Sequence, residues 1–431
     1  EMSQAAAAGA EMVETRLDFL PFLPDAGELR DLLTKPPLPV IVTCRPKRQG
    51  GLFDDDAGTE KARLDLLRRA SKFEGVAFVD VELDTPPRQR PAKKVILSHH
   101  DFEGCPDDLD ELARTLERSD AAVNKIAFTV RACEEALRAF DVIRACKKPT
   151  FALAMGEAGL ISRILAKKFG AFGTFASLGP GRGSAPAQPT LAEMKKLYRW
   201  DDISSETAVF GVIGGPVAHS LSPAIHNAAF AATGINAVYL PLRIEPGAEN
   251  FRRFMDAVLE RPWLVLRGLS VTIPHKENAL AYLGAKNCDA LAVRIGAINT
   301  IRIDSTGHLR GWNSDYTAAV DALCAAMDIK RADLRGRKVA VLGAGGAGRA
   351  IVAVLVHFGA EVAIYNRTLT RAEKLAKEFN CRPAPLTDAS GAKPEILINC
   401  TSIGMHPNVD DCPLETLPRG VNVVFDTVYN P

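Results

Sequence analysis

The chain carries almost no net charge: 53 Lys and Arg stand against 52 Asp and Glu, leaving +1 over 431 residues. Such a balance offers nothing to a nucleic acid or an anionic membrane surface, and neither is implied as a partner. No apolar run approaches the ~20 residues that a membrane-crossing helix needs. The start lacks the basic-then-apolar pattern of a secretory signal. The nine cysteines (Cys44, Cys105, Cys133, Cys146, Cys288, Cys324, Cys381, Cys400 and Cys412) are odd in number and scattered, with no C-x-x-C among them. Neither a disulfide framework nor a zinc site is indicated, no metal is expected, and a reducing compartment is the natural setting. What remains is an ordinary globular composition, 47% hydrophobic and 24% charged, with a length that suits about three domains.

Glycine is abundant in one place. Four apolar residues, 339–342, run into Gly343, Ala344, Gly345, Gly346, Ala347 and Gly348, and an apolar helical stretch follows from Ala350. Gly343, Gly345 and Gly348 form G-x-G-x-x-G between a strand and a helix. That spacing lets the backbone turn sharply and approach a pyrophosphate at the positive helix N-terminus. A second strand, 361–365, comes at the distance a dinucleotide fold requires. Here again something is missing: no Asp or Glu ends that strand to hold a ribose 2′-hydroxyl. Asn366, Arg367 and Thr368 stand there, with Arg371 one turn on. Guanidinium groups suit a 2′-phosphate, so the expected cofactor is NADP. Solvated charges at a helix start are the structural alternative.

In the first half, short apolar strands at 12–17, 39–44, 76–83, 94–98, 121–128, 149–155 and 171–176 alternate with amphipathic stretches at 60–73, 106–118, 132–145 and 158–169, after an opening helix at 2–8. This predicts a (βα)8-type barrel with its first strand apparently upstream of residue 1, or else an open sheet of seven strands. Barrel sites lie at the carboxyl ends of strands. Those ends carry Glu14, Arg16 and Asp18, then Arg45 and Lys47, Asp80 and Glu82, His99 and His100, Asn124 and Lys125, and Ser162 and Arg163. Lys125 lies in an otherwise apolar strand. Desolvation lowers a lysine pKa, and a neutral amine can form an imine with a ketone. His100 could move protons near neutral pH. Arg16, Arg45 and Arg163 suggest a carboxylate substrate. An ion-pair network on the rim is the structural alternative.

The segments Glu14-Thr15-Arg16-Leu17-Asp18, Thr43-Cys44-Arg45-Pro46, Ser98-His99-His100-Asp101-Phe102, Asn124-Lys125-Ile126-Ala127, Gly159-Leu160-Ile161-Ser162-Arg163 and Ser184-Ala185-Pro186-Ala187-Gln188 resemble type I 3-dehydroquinate dehydratase. The resemblance implies that Lys125 forms the imine and His100 moves the protons. Glu14, Arg16, Arg45, Arg163, Ser184 and Gln188 would hold the substrate, and His99 would support the strand. Gln49 departs from the pattern. The family usually places a glutamate there to support the histidine, and a neutral amide stabilises a charged imidazole less.

After a Gly/Pro/Ser-rich stretch at 179–188, a predicted helix at 190–198 and a polar boundary at 199–207, a second α/β pattern starts at 208–214. It leads to Ser220-Leu221-Ser222, then Ser270-Val271-Thr272-Ile273-Pro274-His275-Lys276, Gly296-Ala297-Ile298-Asn299-Thr300 and Gly311-Trp312-Asn313-Ser314-Asp315. Each alone is a turn or a helix cap. Upstream of a dinucleotide loop, together they resemble shikimate dehydrogenase over 208–431. The resemblance implies a catalytic pair of Lys276 and Asp315. Ser220, Ser222, Thr272, Asn299 and Tyr429 would bind substrate hydroxyls and carboxylate. Thr427 and the 399–405 segment would line the nicotinamide. Ser270 and Ser314 replace the usual Asn and Thr, which bears on the choice between shikimate and quinate. The chain also stops before a family segment that carries a substrate-binding glutamine.

The expected organisation is a dehydratase barrel at 1–199, a substrate-binding domain at 207–314 and an NADP-binding Rossmann domain at 315–431. The expected function is a fused shikimate-pathway enzyme that dehydrates 3-dehydroquinate to 3-dehydroshikimate and reduces that to shikimate with NADPH. No protein partner is implied, and a bacterial cytoplasm or a plastid stroma suits the chain. The rivals are a quinate dehydrogenase with an attached dehydratase and a non-catalytic quinate-pathway regulator built from the same domains.

Overall fold

A computed structural model of the chain describes residues 1–218, 220–406 and 409–428. It divides into two compact units, Glu1–His275 with Ile303–Gly307, and Lys276–Arg302 with His308–Pro431. Among the described residues no helix is long and apolar enough to cross a membrane.

The first unit begins with α1 (Met2–Ala7) and lays six parallel strands side by side in chain order: β1 (Val13–Arg16), β2 (Val40–Thr43), β3 (Val76–Glu82), β4 (Val95–Asp101), β5 (Val123–Thr129) and β6 (Thr150–Met155). Helices α2 (Ala26–Leu33), α3 (Ala57–Ala70), α4 (Leu109–Arg118) and α5 (Cys133–Ala145) lie along the way, and the short α6 (Leu160–Ile164) follows β6. Every residue of β2 and β6 is buried. Parallel strands covered on both faces need no polar alternation, which is why these segments read as unbroken apolar runs. Asp25 and Asp56 cap α2 and α3 by accepting from first-turn amides. α4 buries Leu109, Ala113 and Leu116, one stripe of a helical period.

The sheet curls. Lys125 Nζ on β5 comes within 3.4 Å of Glu14 Oε1 on β1, whereas four flat strand spacings would separate their backbones by about 19 Å. The curl is a half-barrel of six regular strands, not seven. The strand expected at 171–176 is absent: Phe172 N–H bonds Thr150 O at 3.0 Å, and the chain then leaves the sheet. The reason is in its aromatics. Phe172 and Phe175 both pack on Phe151, at 5.1 and 5.0 Å between ring centroids. Residues three apart cannot share a face of a strand whose period is two. The helix expected at 190–198 is present over 191–197, with the wider i→i+5 pattern at Glu193–Leu197, and the one at 158–169 is broken around α6. β4 runs three residues past its expected end at Ser98, to Asp101, which puts His100 on regular strand backbone.

The first unit continues into β7 (Ala208–Gly214), α7 (Ser222–Thr233), β8 (Ala237–Arg243), α8 (Ala248–Leu259) and β9 (Leu266–Val271). β7 pairs in parallel with both β8 and β9. This layer is joined tightly to the half-barrel. Arg261 clasps Asp141 of α5 at 2.7 Å. Trp263 meets Phe169 edge-on at 5.1 Å and lies 4.6 Å from the Arg144 guanidinium. The buried Lys168 ammonium bonds the carbonyls of Ser205 and Thr207, at 2.6 and 2.9 Å.

The second unit contains α9 (Lys276–Leu283), α10 (Ala290–Ile295), the short strands β10 (Thr300–Ile303) and β11 (Leu309–Trp312), and α11 (Ser314–Ala326). Then come β12 (Lys338–Leu342), α12 (Gly346–His357), β13 (Glu361–Asn366), α13 (Leu369–Phe379), β14 (Arg382–Pro385), β15 (Ile396–Asn399) and β16 (Val423–Asp426). The last five strands are parallel in the order β14-β13-β12-β15-β16. This is a doubly wound sheet whose order reverses between β12 and β15, the crevice where such sheets take ligands. Pro383 and Pro385 lie on the edge strand β14, where a lost amide donor costs no ladder bond.

The first unit holds a buried charge that its core cannot do without. Arg63 is wholly buried and bonds Glu60, Glu82 and the Cys44 carbonyl. Arg63→Ala leaves Glu82 with Arg45 as its one remaining cation and removes the buried guanidinium's bonds to Glu60 and the Cys44 carbonyl, and is expected to lower the unfolding free energy by about 3 kcal/mol. Arg68→Ala, which removes an exposed pair with Asp65, should cost no more than about 1 kcal/mol. Urea unfolding followed by circular dichroism measures both; equal losses would show that the buried pair is not structural.

Candidate functional sites

The carboxyl-terminal parts of β1, β4, β5 and β6, the 45–50 segment, α6 and the 184–188 loop surround a pocket. Its lining includes all eight residues expected there: Glu14, Arg16, Arg45, His100, Lys125, Arg163, Ser184 and Gln188. The strand register explains part of this. Ser98 pairs with Lys125 and His100 with Ala127, and alternate residues share a face, so His100 and Lys125 point the same way. His99 points the other way, as expected of a strand-supporting residue.

Lys125 is 5% exposed. Its Nζ sits 2.8 Å from Asp80 Oδ2 and 3.4 Å from Glu14 Oε1, and 4.6 Å from the Phe175 ring centroid. Its own strand is apolar, but carboxylates face it across the curled sheet. Asp80 is held three times, by Lys125, by Arg45 at 2.8 Å and by the Ser98 hydroxyl at 2.6 Å. Burial alone would raise the Asp80 pKa; Arg45 and Lys125 outweigh it and keep the carboxyl well below the usual range. Arg45 is committed within the protein, to Asp80, to Glu82 at 2.7 Å and to Ser98 at 2.7 Å.

Arg163 is the opposite case. It is 3% exposed, and among the described residues no carboxylate pairs with it. Burial without a countercharge pulls its pKa down to about 10. A guanidinium in that state is a ready carboxylate site. Ser184 and Gln188 also line the pocket, with Gln188 Oε1 accepting from Ser184 N–H at 3.0 Å. Arg16 is turned onto Asp18 at 2.7 Å.

His100 is kept neutral. Burial lowers its pKa well below the ordinary value, and Arg45 and Lys125 push the same way. Its Nδ1 is sealed and has no hydrogen-bond partner. Gln49 does not touch the ring: its Oε1 accepts from the His100 backbone N–H at 2.8 Å. The expectation that this amide orients the imidazole is thus replaced by a grip on the strand itself. Asp80 and Phe175 had been given no role at the lysine. Asp80 left a legible trace, two carboxylates at alternate positions of an apolar strand; Phe175 left none.

In the second unit Lys276 Nζ bonds Asp315 Oδ2 at 2.5 Å, and Asn299 Nδ2 bonds Asp315 Oδ1 at 2.8 Å. Asn299 Oδ1 accepts from Ser314 N–H at 2.9 Å, and Asn313 caps α11 by accepting from Asp315 N–H at 3.1 Å. The start of α11 is therefore fixed by two asparagines, and Asp315 presents one oxygen to each of two donors. In the first unit Ser220 and Ser222 follow β7 and Thr272 follows β9, with Ser222 N–H bonding Ser220 Oγ at 3.3 Å. Tyr429 lies outside the described residues.

The glycine loop follows β12 at the switch point. Gly343 has φ +104°, and a Cβ there would meet the Cys400 carbonyl at 2.8 Å. At Gly348 a Cβ would meet Gly343 O at 2.2 Å. Gly345 and Gly346 face open space at the start of α12, room for a phosphate against free amides. Asn366 Oδ1 holds the loop through Ala344 N–H at 3.1 Å. Arg367, Thr368 and Arg371 are exposed beside it, Arg367 and Arg371 with no ion-pair partner among the described residues. Thr427 bonds the Asn399 carbonyl at 2.9 Å, across the crevice end of β15. These residues fit a dinucleotide with a 2′-phosphate.

A lysine-centred lyase pocket and a dinucleotide-dependent dehydrogenase thus share one chain. Residues 1–205 match the family described as Type I 3-dehydroquinase, 212–301 the Shikimate dehydrogenase substrate binding domain, and 325–411 Shikimate / quinate 5-dehydrogenase. The chain is 38% identical over 455 residues to the chloroplastic bifunctional 3-dehydroquinate dehydratase/shikimate dehydrogenase of Arabidopsis thaliana, covering 100% of itself and 73% of that protein. It therefore belongs to the bifunctional 3-dehydroquinate dehydratase/shikimate dehydrogenases. It is 45% identical over 234 residues to the NADP(+) shikimate dehydrogenase of Methanosarcina acetivorans, covering 52% of this chain and 80% of that one. Among solved structures, shikimate 5-dehydrogenase of Thermus thermophilus in complex with NADP(H) and shikimate is 36% identical, covers 52% of this chain and 80% of its own, and superposes with a TM-score of 0.44.

A base kept neutral by burial stays active into acid. With His100 as the proton-moving group, the acid limb of kcat/KM for 3-dehydroquinate is expected well below pH 6.5, since burial holds the imidazole's pKa under that ordinary value. A pH–rate profile with its limb at or above 6.5 would contradict the neutral, buried imidazole.

Proposed function

We propose that the half-barrel pocket and the Lys276–Asp315 pair carry the two successive reactions of this bifunctional shikimate-pathway enzyme. The observation behind the first assignment is a pocket holding an amine, a neutral imidazole and an unpaired buried guanidinium together. Arg163 takes the carboxylate of 3-dehydroquinate, and Ser184, Gln188, Glu14, Arg16 and Arg45 line the same pocket. The Lys125 amine adds to the ketone carbon, water leaves, and an imine forms. His100 removes the proton from the neighbouring carbon. The hydroxyl on the next carbon departs with a proton from His100. Hydrolysis of the imine releases 3-dehydroshikimate and restores Lys125. Asp80 is too acidic to be the base; its part is to hold the amine in place.

The second half reduces 3-dehydroshikimate to shikimate and uses NADP. Gly343–Gly348 would hold its pyrophosphate, Arg367 and Arg371 its 2′-phosphate, and Asn366, Thr368 and Thr427 the edges of the site. The reduced nicotinamide, when bound, supplies the hydride. Lys276 Nζ–H donates the proton to the ketone oxygen, and Asp315, fixed by Asn299, keeps the ammonium aimed. Ser220, Ser222, Thr272 and Tyr429 bind the ring hydroxyls and carboxylate. The three modules run 1–199, 207–314 and 315–431, in keeping with the three family matches. All nine cysteines are free, which suits a plastid stroma or a bacterial cytoplasm.

Borohydride added with 3-dehydroquinate should leave a reduced adduct on the peptide containing Lys125, read by mass spectrometry, and none on Lys125→Ala. An adduct elsewhere, or none, would overturn the first assignment. Lys276→Met should keep that adduct while lowering the rate of shikimate formation by roughly 10²–10⁴. Arg163→Ala should raise KM for 3-dehydroquinate about 10- to 100-fold, the loss of a hydrogen-bonded charge.

A further inference from the structure

Tyr239 of β8 is a buried phenol with more fixing it than packing demands. It is 3% exposed. Asn227 of α7 brackets its backbone, accepting from Tyr239 N–H at 2.8 Å and donating to its carbonyl at 2.9 Å. The His226 ring lies parallel to its own at 4.3 Å between centroids. Its hydroxyl donates to Ser270 Oγ on β9 at 2.7 Å. β7 lies between those two strands, so the phenol crosses a whole strand to make this bond. Register places Phe210 opposite Tyr239 and Val212 opposite Ser270. Tyr239, Ser270 and, two residues on, Thr272 therefore share the face that α7 covers. Ser222, the first residue of α7, acts on the same phenol: burial raises the Tyr239 pKa, and both Ser270 and Ser222 oppose the rise.

We infer that Tyr239 is a positioning residue for shikimate binding, acting through Ser270 and the Ser222 end of α7. The inference rests on the proposed role of Ser222 and Thr272 as substrate ligands. The 2.7 Å bond carries it. It fixes the half-buried Ser270 hydroxyl on the face that bears Thr272 and the Ser222 end of α7. A hydroxyl so held suits a carboxylate or hydroxyl oxygen of a polyol acid.

Shikimate affinity by calorimetry, and KM and kcat for shikimate oxidation with NADP+, test it on the full chain. Tyr239→Phe keeps the ring and its stack but removes the donor. It should weaken Kd and raise KM roughly five- to ten-fold with kcat within two-fold. Ser270→Ala should do the same, and the double variant should be no worse than either single one, because one linkage is broken once. Unchanged dehydratase activity in each variant serves as the folding control. Unaltered KM in Tyr239→Phe, a fall in kcat alone, or additive effects would overturn the inference. Wild-type chain that binds no shikimate would instead overturn the substrate assignment beneath it.

Discussion

A buried relay of alternating charge ties α3, β3 and the end of β2 to Lys125 on β5. It runs from Arg63 to Glu82, from Glu82 to Arg45, from Arg45 to Asp80 and from Asp80 to Lys125. Each member is buried, and each would be costly without its neighbour. The relay dictates geometry as well as charge balance. It draws the ends of β2, β3 and β5 inward, and with Glu14 on β1 it needs a curled sheet. The pocket is the inner surface of that curl. The ionic chain that shapes it is also what presents an amine to a ketone.

The second unit solves a different problem, holding a long anionic cofactor with backbone instead of side chains. Two glycines are there because atoms of the chain stand where a Cβ would go, at Gly343 and Gly348. Two others, Gly345 and Gly346, leave space unfilled. The first pair closes the turn and seats α12; the second leaves the helix amides open. At Asp315 the same economy appears in side chains: Asn313 and Asn299 fix the helix start, and only then does the carboxylate meet Lys276.

Much of this was legible in the residues. A lysine in an apolar strand, arginines at successive strand ends and a glycine loop with no following carboxylate each carry their chemistry locally. Glu14, Arg16, His100 and Lys125 assemble as expected because strand period and parallel order aim them, while Arg45, Arg163, Ser184 and Gln188 come from the segments beyond the strand ends. What was not legible depends on contacts across the chain. Phe172 and Phe175 read as strand residues until both turn to Phe151. Gln49 reads as a partner for an imidazole until its oxygen is found on the backbone amide. Asp80 is visible as a rim carboxylate, but its hold on Lys125 follows from curl, which no local pattern encodes.

Arg163 gives the resting pocket an unusual character. Among the described residues, the other buried cations around the pocket have their counterions within the chain; this one must find its own outside. A small carboxylate bound there would supply a missing piece of the chain's own interior charge balance. A pool of such carboxylates would act on the protein as a stabilising solute whose effect grows with the logarithm of its excess over the dissociation constant. The persistence of the folded chain in a cell is thereby coupled to the flow of material through it.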